Sequence, residues 1–220
     1  MIDSISIWHY AVLLAIGYGI GSLHAAYFVG KIFAKIDIRE HGSGNSGGLN
    51  VVRVMGTKAG LPVVIFDVSK VILIMMLTNY IFYGRVIGLE NNQLLPGMVA
   101  GFGAVLGHVF PPYLKFRGGK GIAPALGLAF MLDWRIALAC VVVWAALVLT
   151  TKYVTVGGVS GLIVLSAGAI WLFHSQPAIV AICCAITVLG IIKHKDSIIN
   201  VARGKEMKIT ERKKGGELPK

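Results

Sequence analysis

Three short stretches of this chain combine glycine with cations and small polar side chains in patterns suited to holding phosphate. The first runs His41-Gly42-Ser43-Gly44-Asn45-Ser46-Gly47-Gly48-Leu49-Asn50-Val51-Val52-Arg53. Its flexible residues let the backbone turn tightly enough for successive N–H groups to converge on an anion. Ser43, Asn45 and Asn50 add neutral donors, and Arg53 offers a fork matched to phosphate oxygens. A plain linker is the competing reading, but linkers are seldom Asn-rich and closed by Arg between two apolar runs.

The second stretch is Gly107-His108-Val109-Phe110-Pro111-Pro112, followed by Phe116-Arg117-Gly118-Gly119-Lys120-Gly121 and then a short apolar run. A Gly-Gly-Lys-Gly turn opening a helix gathers free N–H groups, the positive end of the helix dipole and an ammonium around one point. It is not a Walker loop, because G-x-x-x-x-G-K-[ST] is absent. Taken alone, His108 reads as a hydrogen-bonded structural histidine, and Lys120 competes with the role of a snorkelling anchor. The third stretch holds Lys193-His194-Lys195-Asp196-Ser197, then Asn200, Arg203, Gly204, Lys205 and Glu206. A basic run directly after an apolar segment can equally be a topology determinant.

These stretches must be positioned by membrane helices. Of 220 residues, 56% are apolar and 14% charged, with a mean hydropathy of +0.76, far from the balance of soluble domains. Uncharged runs mark the crossings, each needing about 20 residues: Ser4–Gly30, Leu61–Tyr83, Asn91–Leu114, Ile136–Thr151, and a stretch from Tyr153 to Ile192 long enough for two, bent at His174-Ser175-Gln176-Pro177. Gly121–Leu132 is too short to cross straight, and resembles the broken helices that aim their N-termini at anionic substrates. The first segment lacks a basic flank and is expected to be an uncleaved span. The expected fold is an all-α membrane protein of about seven hydrophobic helices, at least one only partly crossing.

Lysine and arginine give the orientation, since they accumulate on the cytoplasmic side of short loops. Residues 31–60, 114–121, 152–155 and 193–220 carry eighteen of the 21 Lys and Arg residues; Lys70 lies inside a span, and only Arg85 and Arg135 fall on the other side. The N-terminus is therefore expected outside and the C-terminus inside. Residues 1–206 are expected to form one polytopic domain, and residues 207–220 a flexible charged cytoplasmic tail. Asp67 and Lys70, three apart on one helix face, are expected to neutralise each other as a structural pair.

Other chemistries find little support. The net charge of +11 comes from loops between apolar runs rather than one basic face, which argues against nucleic acid. Cys140, Cys183 and Cys184 sit in apolar segments without metal-ligand spacing and read as small core hydrophobes. A transporter of a phosphorylated solute would also use half-helices and basic loops, but all the polar stretches fall on one side and no inverted repeat is visible. A CDP-alcohol phosphotransferase would need an Asp-rich metal signature, which is missing.

Read together, the three stretches resemble the cytoplasmic motifs of the bacterial acyl-phosphate:glycerol-3-phosphate acyltransferase family. Gly42-Ser43-Gly44-Asn45-x-Gly47-x-x-Asn50-x-x-Arg53-x-x-Gly56 is similar to the first motif. Gly107-His108 through Phe116-x-Gly118-Gly119-Lys120-Gly121 matches the second, and His194 with Gly204-x-Glu206 the third. Gly21-Ser22 ahead of Lys31 and the pair Asp67-x-x-Lys70 also fit. The likeness covers about residues 15–206. It implies a seven-helix enzyme of the bacterial cell membrane, with a cytoplasmic active site and neither metal nor cofactor. Such an enzyme acts in phospholipid synthesis, transferring a fatty acyl group from acyl phosphate to the sn-1 hydroxyl of glycerol 3-phosphate to give lysophosphatidate and phosphate. Membrane lipid and coupling to an enzyme that makes acyl phosphate are the further partners implied. The candidate catalytic residues are His194, Ser43, Asn45 and Ser197. The candidate substrate- and phosphate-binding residues are Gly42, Gly44, Gly47, Asn50, Arg53, His108, Gly118, Gly119, Lys120, Gly121, Thr155 and Glu206.

This chain departs from the pattern in places. Leu49 and Pro124 stand where the family usually has Thr, and Thr155 and Gly158 stand where it has Ser. Ser197 replaces a characteristic Asn and Asn200 an Arg. The altered third motif raises an inactive or altered-specificity paralogue as the alternative.

Overall fold

The computed structural model describes residues 5–90 and 93–209. Ten α-helices follow in order: α1 Ile7–Ser22, α2 Ala25–Phe33, α3 Gly48–Met55, α4 Thr57–Tyr83, α5 Leu95–Val109, α6 Ile122–Leu132, α7 Trp134–Thr151, α8 Val154–Phe173, α9 Pro177–Lys193 and α10 Lys195–Ala202. No strand occurs among the described residues. Five stretches are long and apolar enough to cross a membrane: α1 with α2, α4, α5 extended to Leu114, α7 and α8. The pair α9–α10, bent by 58°, makes a sixth, and α6 is the short apolar helix. The seven expected hydrophobic segments are all present, with α6 at about 16 Å covering roughly half the hydrocarbon thickness.

The local stops follow from residue type. Gly84 caps α4 in the left-handed region at φ 64, a conformation glycine adopts without a Cβ penalty. Asp133 ends α6 in extended backbone and its carboxylate accepts from the Arg135 N–H at 2.7 Å, starting α7 as an N-cap. Pro177 opens α9 after the bend expected at His174–Pro177.

Helices pack where side chains vanish. A Cβ on Gly17 or Gly21 of α1 would collide with the backbone of Ala100 or Ala104, and one on Gly103 or Gly107 of α5 with the backbone of Leu14 or Tyr18. Two helix backbones in such close contact gain dispersion energy that lipid tails cannot replace. One buried cluster, including Met75, Met98, Leu128, Leu165 and Ile186, joins α4, α5, α6, α8 and α9. A smaller one, Ala26, Ile36, Ile38, Val51 and Val63, lies beneath the first polar stretch. Outward faces are apolar, with Leu73, Leu77, Ile163 and Val188 exposed, as a lipid-facing surface requires. Trp8 (77% exposed), Trp134 (65%) and Trp171 (78%) sit at helix ends where aromatic rings favour the membrane interface.

Three details differ from expectation. The first span is not one run to Gly30: it breaks at Leu23–His24, and α2 leaves from there. The second half of the first polar stretch is α3, not loop, so Asn50 and Arg53 stand on a helix. The third stretch likewise folds as α10, with His194 at the bend. Residues 207–209 are tethered, the Ile209 N–H donating to the Lys152 carbonyl at 2.9 Å; the rest of the expected tail, and the Ser4 and Asn91 ends of expected spans, lie outside the described residues.

Candidate active site

The first polar stretch is folded by its own Asn50. Its Oδ1 accepts from the Ser43 N–H at 2.8 Å and the Ser43 hydroxyl at 3.0 Å, while Nδ2 donates to the carbonyls of Ile38 and His41, both at 2.9 Å. With both amide hydrogens and the oxygen engaged, Asn50 shapes the loop rather than donating outward, unlike the role expected of it. Gly42 and Gly44 take φ of 61 and 75, and a Cβ on Gly42 would strike the Asn50 amide. The base of the loop is held by Asp37, whose carboxylate pairs with Arg39 at 2.7 Å. That hydrogen-bonded guanidinium keeps the Asp37 carboxyl below its usual range. Arg39 also donates to the Leu114 carbonyl at 3.0 Å, tying the first stretch to the second.

The turn Gly118–Gly121 is anchored by backbone bonds from the Gly118 N–H to the Val109 carbonyl (3.2 Å) and from the Gly119 N–H to the His108 carbonyl (3.1 Å). A side chain on Gly118 would meet the His108 carbonyl and one on Gly119 its imidazole. Lys120 projects from this turn and donates to Ser197 Oγ at 2.6 Å. Burial, with Arg53 adding repulsion, lowers the Lys120 ammonium from the usual lysine range, while Glu206 and Asp196 oppose that shift.

His194 is buried at the bend between α9 and α10, 4% exposed. Its Nδ1 lies 2.7 Å from the Gly190 carbonyl. A carbonyl only accepts, so Nδ1 carries the proton and Nε2 keeps its lone pair. Thr155 donates to Glu206 at 2.9 Å, and Arg53 to the Met207 carbonyl at 3.1 Å.

All three stretches border one cavity of about 920 Å³. It touches every candidate residue named from the sequence except Gly119, which packs behind Gly118 against His108. Asn200 and Lys205, which belong to the third stretch but are not among the candidate site residues, also face it. Below this polar mouth the cavity continues between α6, α7 and α8 along Leu126, Cys140, Trp144, Leu162 and Leu165. The sequence does not mark this apolar half: Cys140 is buried in the core cluster as expected and also lines the cavity wall, where its thiol donates to the Gly161 carbonyl at 3.2 Å. A site with cations and amides at one end and an apolar cleft at the other fits an amphipathic ligand with an anionic head.

Asp67 and Lys70 form the expected ion pair at 2.8 Å, both almost wholly buried. The Lys70 ammonium also donates to the carbonyls of Gly21 and Leu23, each at 2.9 Å. Those two acceptors are freed by the helix break, so the lysine caps it. His108 Nδ1 lies 3.4 Å from the same Asp67 oxygen.

Comparison with known proteins gives one consistent outcome. Residues 11–204 match the family model described as glycerol-3-phosphate acyltransferase. The chain is 35% identical to the glycerol-3-phosphate acyltransferase of Thermoanaerobacter pseudethanolicus over 207 residues, covering 92% of this chain and 98% of that one. It is 34% identical to that of Clostridioides difficile, covering 94% and 98%. Its fold superposes with a TM-score of 0.75 on the crystal structure of PlsY (YgiH), an integral membrane glycerol 3-phosphate acyltransferase, in its glycerol 3-phosphate form, at 29% identity and 90% and 94% coverage. The lysophosphatidic acid form of the same protein gives a TM-score of 0.75 at 27% identity, with coverage of 90% and 94%.

Proposed function

The chain belongs to the glycerol-3-phosphate acyltransferase family and is a membrane acyltransferase, and we propose that it moves a fatty acyl group from acyl phosphate to the sn-1 hydroxyl of glycerol 3-phosphate. The observation that carries this reading is the single cavity in which three cation- and amide-bearing segments meet an apolar cleft. The cleft takes the acyl chain, and the polar mouth takes two phosphates.

In this reading the Ser43–Asn45 loop and the backbone of the Gly118–Gly121 turn hold the phosphate of the donor. Arg53 and Lys120 grip the phosphate of glycerol 3-phosphate, with Ser197 fixing the lysine. The sn-1 oxygen attacks the donor carbonyl, a C–O bond to glycerol forms, and the bond to the phosphate oxygen breaks. The leaving group is already good in a mixed anhydride, so alignment and charge stabilisation carry the rate. The His194 Nε2 lone pair accepts the hydrogen bond of the attacking hydroxyl and orients it, and the departing phosphate takes its proton.

Donor choice tests this arrangement. In acyl phosphate the anion is bonded directly to the reacting carbonyl, whereas in acyl-CoA a sulfur occupies that place and the nearest phosphate lies far along a flexible arm. Palmitoyl phosphate is expected to give lysophosphatidate, and palmitoyl-CoA at equal concentration none above background. Equal rates from both would show that the cations do not read the donor's phosphate.

The polar mouth is placed on the cytoplasmic side, on the strength of the lysine and arginine distribution. A cysteine introduced at exposed Lys58 or Lys205 is expected to react with an impermeant maleimide only from that side, and one at exposed Glu90 only from the other. Labelling of the Lys58 position from outside intact cells would reverse the orientation.

A further inference from the structure

We infer that His24, in the break between α1 and α2, is a positioning residue that sets the first polar loop against the Gly118–Gly121 turn. Its side chain is 1% exposed. The ring Nε2 lies 2.6 Å from the Ser46 carbonyl in the loop; because a carbonyl only accepts, Nε2 carries the proton and donates. The same ring packs on that of His108 with centroids 4.7 Å apart. His108 in turn holds the turn, through its carbonyl on the Gly119 N–H at 3.1 Å and through its imidazole against Gly119. One side chain therefore touches the loop directly and the turn through a single neighbour, joining segments about seventy residues apart in sequence.

The ring itself has a fixed base. Its backbone N–H donates to the Tyr113 hydroxyl at 3.1 Å, and that hydroxyl donates to the Ser22 carbonyl at 2.7 Å. Lys70 fastens the carbonyls on either side of Ser22 while paired to Asp67. The break in the first span is thus a built feature, with its freed carbonyls satisfied by side chains from α4 and from the second stretch. Its consequence is a buried donor aimed at the loop. His24 does not border the cavity, so it acts on the reaction only through the loop and the turn. Misplacement of a bound group by about 1 Å can cost a hundredfold in rate, and that sensitivity is what a rigid spacer between two phosphate sites protects.

The inference rests on the acyltransferase reading for its kinetic arm, and on local order for a second arm that needs no turnover. Three variants separate donor position from bulk. His24→Leu fills the space without a donor. His24→Gln places an amide N–H near the Nε2 position, and His24→Asn places one too short to reach Ser46. Hydrogen exchange of the purified protein is expected to quicken at least tenfold across residues 42–48 in the Leu and Asn variants, with α8 and α9 unchanged and His24→Gln like the parent. With acyl phosphate and glycerol 3-phosphate, kcat is expected to fall about ten- to a hundredfold in Leu and Asn, KM for glycerol 3-phosphate to stay within about threefold, and Gln to recover most of the loss. Unchanged exchange at residues 42–48 in Leu and Asn would overturn the inference, as would a Gln variant no better than Leu in both arms. If the parent makes no product, the acyltransferase reading fails while the exchange result still decides for or against His24.

Discussion

Lys120→Ala and Arg53→Ala are each expected to reduce kcat/KM for glycerol 3-phosphate by about thirtyfold to several-thousandfold. Lys120 is partly withdrawn from water, fixed by Ser197 at 2.6 Å and raised from a turn whose glycines allow no side chain. Removing such a partner from a desolvated phosphate costs about 2–5 kcal/mol, which corresponds to roughly thirty- to several-thousandfold. Lys120→Arg keeps the charge but replaces a point donor with a planar fork on a longer arm. An intermediate loss, shared between kcat and KM, is expected. Steady-state kinetics on detergent-purified variants check this, with a thermal unfolding scan to show that each is folded. Parent-like kinetics in both alanine variants would reduce the two cations to membrane anchors.

A second large effect is expected in the opposite direction at Ser197, where the resemblance to the family's third motif implies an Asn. Here the hydroxyl oxygen accepts the Lys120 N–H, leaving one short O–H to reach the substrate. An asparagine could accept from Lys120 with Oδ1 and still offer two N–H donors farther into the cavity. If glycerol 3-phosphate is the acceptor, better alignment of its hydroxyl raises kcat, by about tenfold and up to a hundredfold, with little change in KM for acyl phosphate. Ser197→Ala should do the reverse by releasing the lysine. A screen of small phosphorylated alcohols completes the test. A better acceptor than glycerol 3-phosphate, combined with no gain from Ser197→Asn, would mean that Ser197 and Asn200 together shape a pocket for another substrate.

The parts of the site that were legible in sequence are those where chemistry and backbone need coincide. Gly42, Gly44, Gly118 and Lys120 stand out because apolar spans have no other use for glycine-cation clusters, and the cavity brings them together. Helix α3 was not legible: eight residues opening on glycine offer too little periodicity to tell a helix from a loop. That hid the fact that Asn50 faces back into the loop while Arg53 sits about one turn further on. The apolar cleft was hidden for a different reason. Cys140, Leu162 and Leu165 are the residue types that also face lipid or fill a core, and only packing separates those fates. His24 left the faintest trace, a lone histidine near the end of an apolar run. Its importance comes from the break in the first span, which the continuous hydrophobicity of that run conceals.

The proposed function requires one cavity to align acyl phosphate with glycerol 3-phosphate. That alignment can be checked by giving the purified protein palmitoyl phosphate and labelled glycerol 3-phosphate and measuring two products together. 1-Acyl-glycerol 3-phosphate and inorganic phosphate are expected in equal amounts, with phosphate release dependent on the acceptor. Folded protein that yields no lysophosphatidate across several chain lengths, or that releases phosphate at the same rate without glycerol 3-phosphate, would contradict it.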